Sequence, residues 1–175
     1  NMPASAMTLL SLKIPGYILA GGSIKPGMLN GKEIDIVNSY IAAGLAAKGE
    51  ITDEQRREIQ EKACPGFGAC GGMYTANSMF TLFEAMGLSP LGSSSTLADN
   101  KGNECYSAYE LLEDMIKKNR MPSEFVSKES FENAVRSVLV LGGSTNPILH
   151  LLVMAKAAGI SFTEPDFERI SSHTP

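Results

Sequence analysis

Apolar residues recur three and four positions apart through most of this chain, and one short apolar run has the form of a strand. Ala4 to Leu12 predicts a helix that Ile14-Pro15 ends. Tyr17-Ile18-Leu19-Ala20 then reads as a short buried strand running into a Gly21-Gly22 loop. From Glu33 to Lys48 the spacing of Ile34, Val37, Ile41 and Leu45 predicts a second helix, with Gly49 as its stop. Thr52-Asp53-Glu54-Gln55 has capping-box spacing and starts a helix that runs to about Lys62. Met73, Ala76, Met79, Phe80, Phe83 and Met86 lie on one helical face, followed by a turn-rich passage from Gly87 to Ser95 that contains Pro90. Asn103 to Lys118 is helical through Tyr106, Tyr109, Leu112 and Ile116, and Arg120-Met121-Pro122 closes it. Ser127 caps a helix carrying Phe131, Ala134, Val135 and Val138 that stops at Gly142-Gly143. The turn Ser144-Thr145-Asn146 caps the next helix, from Pro147, and Thr163 with Asp166 starts a last short one.

A strand feeding a glycine turn among many helices is an α/β signature, so the expected fold is a mostly helical slice of a layered α/β/α domain with few short strands. At 175 residues the chain fits one domain, and 43% hydrophobic with 19% charged residues describes an ordinary globular protein. The net charge of −4 is spread along the chain, which argues against a nucleic-acid surface. No apolar run has the length of a membrane span and no signal-peptide pattern opens the chain. Three cysteines at irregular spacing fit a reducing compartment, with cytoplasm as the default. The chain opens at Asn1-Met2-Pro3 and closes on His173-Thr174-Pro175 directly after a helical pattern. Both ends read as cuts in a longer polypeptide, making residues 1–175 one partial domain.

The most informative chemistry lies in the segment from Ala63 to Met79. Pro65, Gly66, Gly68, Gly71 and Gly72 surround Cys70 with backbone that carries little side-chain cover, so a bulky ligand can approach closely. A helix beginning after Gly72 aims its positive end at a thiolate there, which lowers a thiol pKa and favours metal binding. The same pattern also serves a buried packing cysteine before a core helix. Ser144, Thr145 and Asn146, flanked by glycines and opening a helix, offer hydroxyls and backbone N–H groups to a carboxylate or phosphate, or simply cap the helix. Gly21-Gly22-Ser23 and Ser93-Ser94-Ser95 are further polar turns of this kind. Cys64 reads as structural, Cys105 as packing or surface, His150 as a hydrogen-bonded core residue and His173 as a terminal one. A zinc site from the three cysteines and a histidine matches no usual ligand spacing. The charges from Asp53 to Lys62 form a solvated helix face.

The block Cys64-Pro65-Gly66-Phe67-Gly68-Ala69-Cys70-Gly71-Gly72-Met73-Tyr74-Thr75-Ala76-Asn77 resembles the cysteine loop of the dihydroxy-acid dehydratase and 6-phosphogluconate dehydratase family. Ile14-Pro15, Gly21 to Gly27, Gly92 to Ser95, Gly142 to Asn146 and His150-Leu151-Leu152 agree with the same family in order, so the resemblance covers all 175 residues. It implies a hydro-lyase that removes water from a 2,3-dihydroxy acid to give a 2-keto acid. The block favours the branched-chain amino-acid dehydratase over the sugar-acid members; the alternatives are a sugar-acid dehydratase and an inactive α/β fragment. The implied cofactors of the full enzyme are an iron–sulfur cluster, of the 2Fe-2S or 4Fe-4S type, and magnesium. By motif Cys70 matches one of three cysteine ligands. A second ligand, a magnesium ligand and a modified lysine belong to a Cys-Asp-Lys triplet just before the position of Asn1, the third cysteine lies farther upstream, and the base is a serine in the C-terminal region. The resemblance further implies a small-molecule substrate, a homodimer for the full-length enzyme, no nucleic-acid or membrane partner, a cytoplasmic or organelle-matrix location, and an isolated chain that is inactive and holds no cluster stably.

Overall fold

The Met73 to Met86 pattern forms a helix in the centre of the hydrophobic core. The computed structural model describes residues 1–175. In chain order it contains α1 (Met2–Leu12), β1 (Gly27–Leu29), β2 (Lys32–Ile34), α2 (Ile36–Ala47), α3 (Asp53–Ala63), α4 (Thr75–Ala85), α5 (Lys101–Lys117), α6 (Pro122–Phe125), α7 (Lys128–Val140), α8 (Asn146–Ala158) and α9 (Glu164–Ser171). Met79, Leu82 and Phe83 of α4 are buried, and Phe131, Ala134, Val135 and Val138 of α7 meet them from one face. Their spacing of three, four and seven residues is what puts those four side chains on a single stripe. Leu151, Met154 and Ala155 of α8 and Ala6 and Leu10 of α1 complete the core. Each large side chain buried there contributes about 1.5–3 kcal/mol. Phe162 links the core to α9, its ring centroid 5.5 Å from Phe131 and 5.1 Å from Phe167.

The fold is thus a mostly helical α/β segment whose only sheet is the antiparallel pair β1–β2, in which Met28 lies opposite Glu33. Helix starts follow their caps. Thr52 accepts from the Gln55 amide at 3.2 Å while Gln55 returns a bond to the Thr52 N–H at 2.9 Å, and the Thr163 N–H donates to Asp166 at 2.9 Å. The charged face of α3 is solvated, with Arg56 and Arg57 on Asp53 and Lys62 on Glu58.

Two expectations are corrected. Tyr17–Ala20 is not a strand: it is extended, with Ile18 and Ala20 buried, but no neighbouring strand pairs with it. The Ile18 N–H instead donates to the Leu88 carbonyl at 2.7 Å, and the buried Ser89 hydroxyl donates to the Ile18 carbonyl. Glu33 and Ile34 belong to β2, because Asn30-Gly31 makes a hairpin with both residues at positive φ (51° and 77°) and Asp35 then caps α2 through the Val37 N–H at 2.8 Å. The apolar face of α2 is turned outward: Val37, Tyr40 and Ile41 are exposed, while Ser39 and Ala42 are buried. The same holds for α5, where Tyr106 is 80% exposed and Ala108 and Met115 are the buried positions.

Candidate functional site

Three loops meet beside Cys70. The Ala69 N–H donates to the Gly22 carbonyl at 2.9 Å, the Ile24 N–H to the Ala69 carbonyl at 2.7 Å and the Ala98 N–H to the Ser23 carbonyl at 2.9 Å. Ser23 therefore forms parallel bridges with both Ala69 and Leu97. The approach requires bare backbone. A Cβ at Gly68, whose φ is +130°, would lie 2.5 Å from the Ile24 nitrogen, and one at Gly22 would lie 2.6 Å from that of Ala98. From Cys70 the chain passes through Gly71 and Gly72 to Met73, a non-glycine residue at φ 55°, which turns it into α4.

Helix α4 begins at Thr75 rather than at Met73, and Tyr74 at its start supplies no side-chain cap. Its positive end is consequently left uncapped next to the Cys70 loop. Cys70 and Cys64 are half-buried and unpaired, whereas Cys105 is exposed on α5. Burial, reinforced by the Asp35 carboxylate and by Cys70, pushes the Cys64 thiol above its ordinary value, which suits a protonated, structural cysteine. A Cβ on Gly71 would meet nothing nearer than the Ile24 carbonyl oxygen at 3.9 Å, so the backbone beside Cys70 is open to a large ligand. No three His, Cys, Asp or Glu side chains converge as a complete metal site. Cys70 is the thiol next to the open backbone at Gly71, a single soft donor rather than a full ligand set.

The Ser144-Thr145-Asn146 turn docks onto the same helix end. The Ser144 N–H donates to Ser78 Oγ at 2.9 Å, and Ser78 Oγ donates to the Met73 carbonyl at 3.1 Å. Asn146 Nδ2 donates to Thr75 Oγ1 at 2.6 Å, with Ser144 Oγ 3.4 Å from the same oxygen. Ser144 Oγ also accepts the Asn146 N–H at 3.2 Å, whereas Thr145, at the N-cap of α8, makes no side-chain cap hydrogen bond. The two candidate regions, separate in sequence, converge at the first turn of α4.

His150 is half-buried rather than a core residue, and lines a shallow pocket with Asn1, Met2, Thr75, Ala76 and Met79. His173 stays at the chain end, its Nδ1 2.8 Å from the Arg169 carbonyl. The Ser93 to Ser95 turn is held by Glu84, whose carboxylate accepts the Gly92 and Ser94 N–H groups, each at 2.8 Å. Burial alone raises that carboxyl's pKa, yet these amides and Lys101 bring it below its ordinary value. Sequence reasoning missed Thr75, Asn77 and Ser78; the available signal was three polar residues at the start of a helix whose later positions are mostly apolar.

The chain matches, over residues 1–175, the family described as dihydroxy-acid/6-phosphogluconate dehydratase N-terminal. It is 47% identical over its whole length to a dihydroxy-acid dehydratase of Roseiflexus sp. (strain RS-1), covering 32% of that protein. It is 43% identical to one of Francisella tularensis subsp. tularensis (strain FSC 198) and 44% identical to one of Prochlorococcus marinus (strain MIT 9313), again over all of this chain and 32% of each relative. The chain thus spans about a third of the length of the curated relatives it matches.

Proposed function

This chain belongs to the dihydroxy-acid/6-phosphogluconate dehydratase N-terminal family, and on that premise we propose that its complete polypeptide is a hydro-lyase converting a 2,3-dihydroxy carboxylic acid to a 2-keto acid. The observation that carries this is the meeting of the Cys70 loop and the Ser144–Asn146 turn at the uncapped start of α4, through Thr75. Relatives named dihydroxy-acid dehydratase support a branched dihydroxy acid as substrate, within branched-chain amino-acid biosynthesis.

In this reading Cys70 is one thiolate ligand of an iron–sulfur cluster, and the remaining cysteines and the magnesium ligands come from polypeptide outside residues 1–175. Bound there, the cluster supplies a Lewis acid for the departing 3-hydroxyl while magnesium steadies negative charge on the substrate. The chain's own residues bind and orient. Open backbone at Gly71 admits the cluster, and the α4 amides with Thr75, Ser144 and Asn146 offer hydrogen bonds to the substrate carboxylate. Asn1 and Met2 line the same pocket as Thr75, so the start of α1 lies beside this helix end. The outward apolar faces of α2 and α5 support a partial domain whose remaining layers come from elsewhere in the polypeptide or from a second copy. No helix is long and apolar enough to cross a membrane, and three free cysteines suit a reducing compartment such as cytoplasm or an organelle matrix.

Keto-acid formation by the complete, anaerobically purified polypeptide tests the proposal. Turnover of a branched dihydroxy acid is expected. Turnover of a phosphorylated sugar acid alone would move the protein to the other branch of the family, and turnover of neither would leave only a structural role.

A further inference from the structure

We propose that Asn77 is a positioning residue for Cys70, acting through Ser23; the inference rests on Cys70 being the ligand of the preceding section. Cys70 is joined to α4 along the chain by Gly71-Gly72-Met73-Tyr74, and the two consecutive glycines next to it do not fix a thiol in place. The second connection is not covalent. Asn77, in the first turn of α4 and 7% exposed, donates its Nδ2 to Ser23 Oγ. The residues on either side of Ser23 hold Ala69 by both its N–H and its carbonyl, and Ala69 precedes Cys70. The helix therefore sets the Ala69–Cys70 backbone through Asn77, Ser23 and two main-chain hydrogen bonds.

The cost of this arrangement argues that it is not packing alone. Asn77 Oδ1 is buried without a hydrogen-bond partner, a penalty an apolar residue at that position would avoid. Only the amide's donor is used, and it is used on the loop that carries Cys70. An aspartate has no such donor and would bury a charge there.

The test uses the complete polypeptide with Asn77→Ala, Ser23→Ala, the double variant and Ser23→Thr. Iodoacetamide labelling of the cluster-free protein is followed at Cys70 and at exposed Cys105 by mass spectrometry, and cluster absorption is recorded on the reconstituted protein. Each alanine variant is expected to speed Cys70 labelling about tenfold, as local opening becomes easier. The double variant should add little, Ser23→Thr should restore the slow rate, and Cys105 should not respond. Unchanged Cys70 labelling in both single variants, or additive effects in the double, overturns the proposal. If Asn77→Ala does not fold, Ser23→Ala with its threonine rescue carries the same test. Failure of the ligand assignment shows separately, as a Cys70→Ser protein that keeps its cluster absorption.

Discussion

Asn146 donates its side-chain amide to Thr75 Oγ1 across 71 residues of sequence, tying the start of α8 to the start of α4. Two regions that the sequence marks for different reasons, one by cysteine and glycine and the other by a polar turn, are thereby parts of one helix-end site.

Removing that bond should impair substrate handling more than folding, since Asn146 is exposed. In the complete polypeptide, Asn146→Ala and Thr75→Val are each expected to lower kcat/KM about tenfold to a hundredfold, equivalent to roughly 1.4–2.8 kcal/mol. Steady-state kinetics on the branched dihydroxy acid, with melting curves as control, check this. Unaltered kinetics would reduce the turn to a helix cap.

The three-loop junction predicts opposite tolerance at two glycines that flank Cys70. Gly68→Ala places a methyl 2.5 Å from backbone at a φ of +130° and should destabilise by more than about 2 kcal/mol. Gly71→Ala meets nothing closer than 3.9 Å and should change stability by less than about 1 kcal/mol. Denaturant titration of the two variants distinguishes them.

Stability at low pH should depend on the link between α7 and α9. Asp166 accepts from Lys128 at 2.9 Å and from the Thr163 N–H at 2.9 Å, and these with Arg169 hold its carboxyl far below the usual range. Because the folded-state pKa is depressed, its contribution is fully present above the ordinary carboxylate pKa of about 4 and is lost as pH falls below it. Asp166→Asn should cost about 1–2 kcal/mol at neutral pH and flatten the acid limb of the stability curve. Urea unfolding between neutral pH and the acid range measures both effects.

Legibility in the sequence followed the range of the interaction. The helices of the core and the caps at Thr52 and Thr163 were readable because period and cap chemistry are local. The strand expected at Tyr17–Ala20 failed because strand formation needs a partner, and Ile18 bonds to Leu88 instead. The β1–β2 hairpin was available in Asn30-Gly31 but was overridden by an apolar spacing that ran through Ile34 into α2. Periodicity predicted helices at α2 and α5 but not the exposure of their apolar residues, since an apolar stripe does not say what covers it. At the site, Cys70 was marked by motif. Thr75, Asn77 and Ser78 were not, because their roles depend on Ser144, Asn146 and Ser23, which are far away in sequence.

Those outward faces predict the behaviour of residues 1–175 on their own. Val37, Tyr40 and Ile41 on α2 and Leu149 and Val153 on α8 are all exposed, and apolar patches of a few hundred Å² promote association. Light scattering should detect self-association, and hydrogen exchange should find the α4–α7 core protected while α2 and α5 exchange readily. A strictly monomeric and uniformly protected chain would instead indicate an autonomous domain.

The most direct test of the central claim compares Cys70→Ser with Cys105→Ser in the complete, anaerobically purified polypeptide, following visible absorption, bound iron and sulfide, and dehydratase rate together. A serine hydroxyl is a poor ligand for iron where a thiolate is a good one. Cys70→Ser is expected to lose colour, cluster and turnover, and Cys105→Ser, altered at an exposed position on α5, to keep all three nearly intact. A Cys70→Ser protein that retains its colour and its rate would contradict the account.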